Sequence, residues 1–132
     1  PSVAGAVGLA EAVKYHQNLG MEEIRRHEEE LMSYAIKRLV EIKEVKLVGP
    51  KDVKNRSGVV SFVYDKVHAH DVAEVLNSEG IAVRSGHHCT MPLHQRLGLV
   101  ATTRVSFYVY NDKKDVDRLI EGLEKVKGVF IK

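Results

Sequence analysis

Gly58-Val59-Val60-Ser61-Phe62-Val63-Tyr64 is strongly β-branched and aromatic and reads as a strand. His70-Asp71 then opens a short helix that buries Val72, Val75 and Leu76 and is closed by Ser78-Glu79-Gly80. Ile81-Ala82-Val83-Arg84 follows as a second β-type run. A strand-helix-strand unit crosses over right-handedly, so its two strands lie parallel with room for one strand between them. The run Thr103 to Tyr110 is the natural occupant of that gap. It alternates Arg104, Ser106, Tyr108 and Tyr110 against Val105, Phe107 and Val109, the period of a half-buried strand. Arg104 is thereby placed beside the end of the Arg84 strand.

Lys46-Leu47-Val48 before Gly49-Pro50 is a short strand ended by a turn. Met21 to Ile42 is the longest helical pattern, with Ile24, Leu31, Ala35, Leu39 and Ile42 on one face and mostly charged residues on the other. Pro1 to Tyr15 has helical spacing, Gly20 reads as its stop, and Gly5 and Gly8 suggest close packing against another surface. Pro92 sits in the first turn of a short helix through about Leu97. Asn111-Asp112 caps a last helix whose apolar stripe is Val116, Leu119, Ile120, Leu123 and Val126. The expected fold class is α/β of the two-layer α+β kind: a small, mostly antiparallel four-stranded sheet with helices packed on one face, one domain over residues 1–132.

A chain of 132 residues with 44% apolar and 29% charged content can build one core and is not of the disordered class. No apolar run is long enough to span a bilayer, which argues against a membrane role. The net charge of +2 argues for no polyanionic partner, and although Lys43, Lys46, Lys51, Lys54 and Arg56 gather near one loop, no aromatic residue is interleaved as a nucleic-acid surface requires. A single cysteine excludes an internal disulfide and fits a reducing, cytoplasmic setting.

That cysteine lies in Arg84-Ser85-Gly86-His87-His88-Cys89-Thr90-Met91-Pro92, where β texture gives way to a polar segment without apolar periodicity. A strand fixed by burial delivers a loop that carries chemistry, and a thiol beside cations is a candidate nucleophile. Burial as a small hydrophobe is the competing reading, against which the polar neighbours count. His87, His88, Cys89 and His94 are candidate metal ligands by residue type. Adjacent His-His-Cys cannot readily converge on one ion, and no Cys-x-x-Cys or His-x-x-x-His pair accompanies them, so no metal is expected. His68 and His70 flank a helix start and read as capping or surface residues. Arg84 and Arg104 are either rim arginines paired with carboxylates or a bidentate clamp on a substrate carboxylate, and the residues alone leave both open.

Arg84-Ser85-Gly86-His87-His88-Cys89, Met91-Pro92-Leu93, Thr103-Arg104-Val105-Ser106 and Tyr110-Asn111 together strongly resemble the end of a SUF-type (group II) cysteine desulfurase, in the class V aminotransferase group of pyridoxal-phosphate enzymes. Pro1 to Leu9 resembles the segment after the family's Gly-Thr-Pro run, and Thr90 stands where alanine is common. The resemblance implies the C-terminal small domain of a fold-type I enzyme, with the lysine that anchors pyridoxal 5'-phosphate in an N-terminal domain and no cofactor-binding residue in this chain. It implies that Cys89 takes sulfur from L-cysteine as a persulfide, with release of L-alanine, for iron-sulfur cluster assembly. Arg104 would hold the substrate carboxylate, and Arg84 and His88 would organise the loop or handle protons. A sulfur-acceptor protein and a homodimer of the full-length enzyme are implied as partners. The same thiol chemistry would serve a selenocysteine lyase, and a stand-alone sulfur-relay or binding module without cofactor is the reading from a different class.

Overall fold

A computed structural model describes residues 1–50 and 52–131. Its elements run α1 (Val3–Leu19), α2 (Met21–Val40), β1 (Val45–Val48), β2 (Val59–Tyr64), α3 (Ala69–Ser78), β3 (Arg84–Gly86), α4 (Met91–Arg96), β4 (Thr102–Ser106) and α5 (Lys113–Phe130). The sheet order is β1-β2-β4-β3 with every neighbouring pair antiparallel. β2 and β3 are therefore parallel with β4 between them, as the crossover requires. The register sets Arg104 opposite Ser61 of β2 and opposite Arg84 of β3.

Alternation divides each strand between two faces. Val60, Phe62 and Tyr64 of β2, with Thr103, Val105 and Phe107, face the helices α2, α3 and α5 and are buried. The expected stripes of α2 and α5 close over them, every member buried, and Leu39, Val116, Leu123 and Val126 are fully so. Gly122 is the point of closest approach: a methyl there would fall 2.6 Å from Leu76 Cδ2 and 2.7 Å from Ile81 Cδ1, so α5 can meet α3 only with no side chain at that place. Asp112 starts α5 by accepting from the amides of Lys114 and Asp115, and Asp115 reaches back to the Asp112 amide.

The structure departs from the sequence reading in three places. Ile81 to Val83 does not pair: the Ile81 amide donates to the Leu76 carbonyl at 2.9 Å, which holds the chain to the end of α3, and a cleft of about 210 Å³ separates it from Val105 to Phe107. Only Arg84–Gly86 joins the ladder. β4 ends at Ser106 rather than Tyr110, because Asn111 folds back, its Oδ1 accepting from the Tyr108 amide at 2.9 Å, and this turn lifts the chain off the sheet. The helices are not all on one face, since α4 lies against the opposite side through His94 and Leu93.

α1 buries none of its residues and leaves Val3, Val7, Leu9, Val13 and Tyr15 exposed. A methyl built on Gly8 would meet nothing, so no described part of this chain supplies the close packing that its glycines suggested. Among the described residues, α1 is tied back by a side-chain hydrogen bond between His16 Nε2 and the Tyr108 hydroxyl at 2.8 Å. No helix of the described residues is long and apolar enough to cross a membrane.

Candidate active site

The second face of the sheet carries the site. Three strands contribute one row across it: Ser61, Arg104 and Arg84. Like charges directly opposite one another on neighbouring strands disfavour the fold, yet among the described residues no carboxylate pairs with either arginine. The Nε of Arg104 is buried and unpartnered. An arginine pair left without its acid is suited to a ligand anion, which a planar guanidinium binds through two parallel hydrogen bonds. The rim ion pair that the sequence left open is not formed among the described residues.

β3 then delivers the loop. Gly86 has φ +116, and His88 and Cys89 follow at +53 and +62, both in the left-handed region that side chains rarely adopt. The turn is closed by the Thr90 amide and the Thr90 hydroxyl, which both donate to the His87 carbonyl at 2.8 and 2.7 Å. Its effect is to present Cys89 exposed at the tip, with Arg84 Nη2 3.9 Å from the sulfur. His88 points the other way, its Nε2 lying 3.1 Å from the Thr102 carbonyl and 2.9 Å from Thr102 Oγ1. Burial, with Arg104 next, keeps the His88 imidazole below its ordinary pKa, so its neutral form is favoured. Cys89, His88, Arg84 and Arg104, the four residues singled out in the sequence, thus gather at one end of one strand pair.

Between the loop, α4 and the sheet lies a cavity of about 370 Å³ whose polar walls include Arg56, Ser57, Ser61, His88, Thr90 and Arg104. Arg56 belongs there and not to a basic surface patch: it donates to the Val48 carbonyl at 3.0 Å and to the Pro50 carbonyl, and burial lowers its pKa. Lys46 pairs with Asp65 at 3.9 Å, and Lys51 lies outside the described residues. Sequence reasoning missed Arg56, Ser61 and Thr102 as parts of the site. For Ser61 and Thr102 the signal was present, because alternation places each on the Arg104 face. His88 and His94 both approach Thr102, and among the described residues no three His, Cys, Asp or Glu side chains converge as a metal set. His68 caps α3, its Nδ1 accepting from the His70 amide.

A pyridoxal cofactor needs an amine to bond its aldehyde and a partner for its ring nitrogen. Among the described residues neither a lysine nor a carboxylate lines the cavity, so these residues do not by themselves fit that group.

Residues 1–119 match the family described as Aminotransferase class-V. The chain is 45% identical over 130 residues to the cysteine desulfurase of Haloferax volcanii, covering 98% of this chain and 30% of that protein. It is 48% identical to a probable cysteine desulfurase of Halalkalibacterium halodurans, covering 98% of this chain and 31% of the relative. The apo structure of a cysteine desulfurase from Thermococcus onnurineus superposes with a TM-score of 0.93 at 40% identity, over 97% of this chain and 32% of that one. The chain thus spans about a third of the length of the curated relatives it matches.

Proposed function

Because this chain belongs to the class-V aminotransferase family, we propose that it is the sulfur-accepting small domain of a SUF-type cysteine desulfurase. The observation that carries the proposal is the juxtaposition of an exposed thiol on a left-handed turn with two arginines that have no carboxylate partner among the described residues. The relatives named cysteine desulfurase support the substrate, L-cysteine. Its carboxylate suits the Arg104 clamp, with Arg84 beside it, and anchoring that end aligns the substrate sulfur with Cys89.

In the reaction the carbon-sulfur bond of cysteine breaks and a sulfur-sulfur bond to Cys89 forms. Cysteine and the Cys89 thiol become alanine and a Cys89 persulfide, with atoms and electrons balanced and no external oxidant. Arg84, whose Nη2 lies 3.9 Å from the sulfur, is placed to donate to it. His88, neutral in the site, has a ring nitrogen able to exchange a proton. The group that weakens the carbon-sulfur bond, pyridoxal 5'-phosphate, is assigned to an N-terminal domain outside these residues, as is the lysine that would anchor it. The bare outer surface of α1 suits the contact with that domain.

An exposed persulfide at a loop tip is accessible to an acceptor protein, which supports sulfur delivery to iron-sulfur cluster assembly. A lone exposed thiol fits a reducing, cytoplasmic setting, and the whole enzyme is proposed to dimerise. The test is direct. The purified chain with pyridoxal phosphate and L-cysteine should form no alanine above the free cofactor's background, whereas a protein extended N-terminally through the cofactor lysine should turn over and should stop on Cys89→Ala. Alanine formed by the short chain above background would overturn this division of labour.

A further inference from the structure

His94, whose residue type suggests a metal ligand, is 6% exposed and lies between two threonines. Its Nδ1 is 3.1 Å from the Thr90 carbonyl oxygen and 3.3 Å from Thr90 Oγ1. The Thr90 hydroxyl already donates its proton to the His87 carbonyl, so both Thr90 oxygens can only accept. Nδ1 of His94 therefore carries a proton. Across the ring, Nε2 of His94 is 3.1 Å from the hydroxyl of the buried Thr102, which also lies 2.9 Å from His88 Nε2. His88 Nε2 faces the Thr102 carbonyl too, an acceptor only, so it carries a proton as well. One hydroxyl proton is left to place, that of Thr102, and the His94 Nε2 lone pair takes it. Every bond then runs one way: His88 donates to Thr102, Thr102 to His94, and His94 to Thr90. The direction leaves His88 Nδ1 as a bare lone pair, and that atom is buried without a partner.

We infer that His94 is a positioning residue for the Cys89 loop: acting through Thr102, it holds His88 as the Nε2–H tautomer and keeps the His88 Nδ1 lone pair free to take a proton in the site. The tautomers follow from the geometry alone, while the use of the lone pair rests on the function proposed above. The charged and titratable groups acting on His88 are Arg104 and Arg84 on the adjoining strands and His94 on α4, all of which favour an uncharged ring. A buried chain of this kind is held by its weakest orientation, because reversing one hydroxyl reverses the next donor.

Long-range proton-nitrogen spectra of the ¹⁵N-labelled chain test this, with His88 assigned by its loss in His88→Asn. At neutral pH the two rings should show opposite tautomers, Nε2–H for His88 and Nδ1–H for His94. His94→Phe removes the acceptor of the Thr102 hydroxyl proton, which then competes for the His88 Nε2 position, so a second His88 population protonated at Nδ1 should appear. His94→Gln, which keeps an acceptor oxygen toward Thr102, should restore the single tautomer. So should the double variant His94→Phe with Thr102→Val, because no hydroxyl proton remains and the backbone carbonyl alone orders the ring. A packing role for His94 gives no such recovery. Identical tautomers in the wild-type chain, or a His88 signature indifferent to His94→Phe, would overturn the inference. In the N-terminally extended protein, His94→Phe should lower kcat with KM little changed and His94→Gln should recover it; unchanged turnover would overturn the positioning role. A wild-type extended protein that does not turn over would instead overturn the proposed function and leave the chain to be decided by the spectra.

Discussion

Replacing Cys89 by glycine should make the protein more stable while deleting its proposed chemistry. Cys89 is exposed and among the described residues its sulfur has one hydrogen-bonding neighbour, Arg84 at 3.9 Å, so little packing is lost with the side chain. Its φ of +62 costs a residue with a Cβ about 1–2 kcal/mol. Glycine removes that cost but gains freedom in the unfolded chain, which offsets about 0.4–1 kcal/mol. The net expectation is a gain of roughly 0.5–1 kcal/mol, or a rise in Tm of about 3 °C for a domain of this size. Cys89→Ala keeps the Cβ and the left-handed backbone and should stay within about 0.5 kcal/mol of wild type. The difference between the two variants therefore isolates the backbone term. Equilibrium urea unfolding measures it as a shift in midpoint at constant slope. A glycine variant no more stable than the alanine variant would refute the reasoning, since the turn would then carry no conformational cost. A gain would match the general finding that strain collects at working sites and is held there by the surrounding fold.

Leu123→Ala, at a fully buried position of α5, should destabilise by about 2–5 kcal/mol in the same urea assay. Arg104→Leu should leave stability near wild type or raise it, because the Arg84-Arg104 repulsion is relieved; in an N-terminally extended protein it should lower kcat/KM for cysteine by about 1.5–3 kcal/mol, about ten- to 160-fold. His88 has a folded pKa below its ordinary value of about 6.5, so in the window beneath that value the unfolded chain binds more protons. Its contribution is present above the window and lost as pH falls through the folded pKa, and urea midpoints should decline with acid more steeply in wild type than in His88→Gln.

The crossover from Gly58 to Arg84 was legible because handedness admits one solution once the pattern strand, helix, strand is recognised. That solution placed Arg104 beside the Cys89 loop without any coordinates. The premature end of β4 was not legible: alternation continues to Tyr110, and it is the Asn111 side chain, seizing the Tyr108 amide, that takes the chain off the sheet. Ile81 to Val83 misled for a similar reason, since β-branched residues fit a pleated surface and equally fit the groove beside Gly122. Arg56 looked like one more loop cation, yet its guanidinium is spent on the carbonyls of Val48, at the end of β1, and of Pro50, and it forms a wall of the cavity. His94 and Thr102 could not be read at all as partners. Their link to His88 joins a loop, a helix and a strand, and its meaning lies in which nitrogen carries a proton, a matter of angstroms rather than of residue type.

The register of β4 has a consequence for how errors in this protein are caught. Thr103, Val105 and Phe107 face the helices while Thr102 and Arg104 face the cavity side. Displacing the strand by one residue exchanges the two sets. Arg104 would then be driven into the hydrocarbon beneath the helices, and Val105 would stand in the row now shared by Ser61, Arg104 and Arg84. A molecule with a misaligned site is thus also a molecule with a ruined core, and it is removed by the ordinary fate of unstable chains before it can act. Correct assembly of the chemistry needs no inspection of its own, because folding performs it.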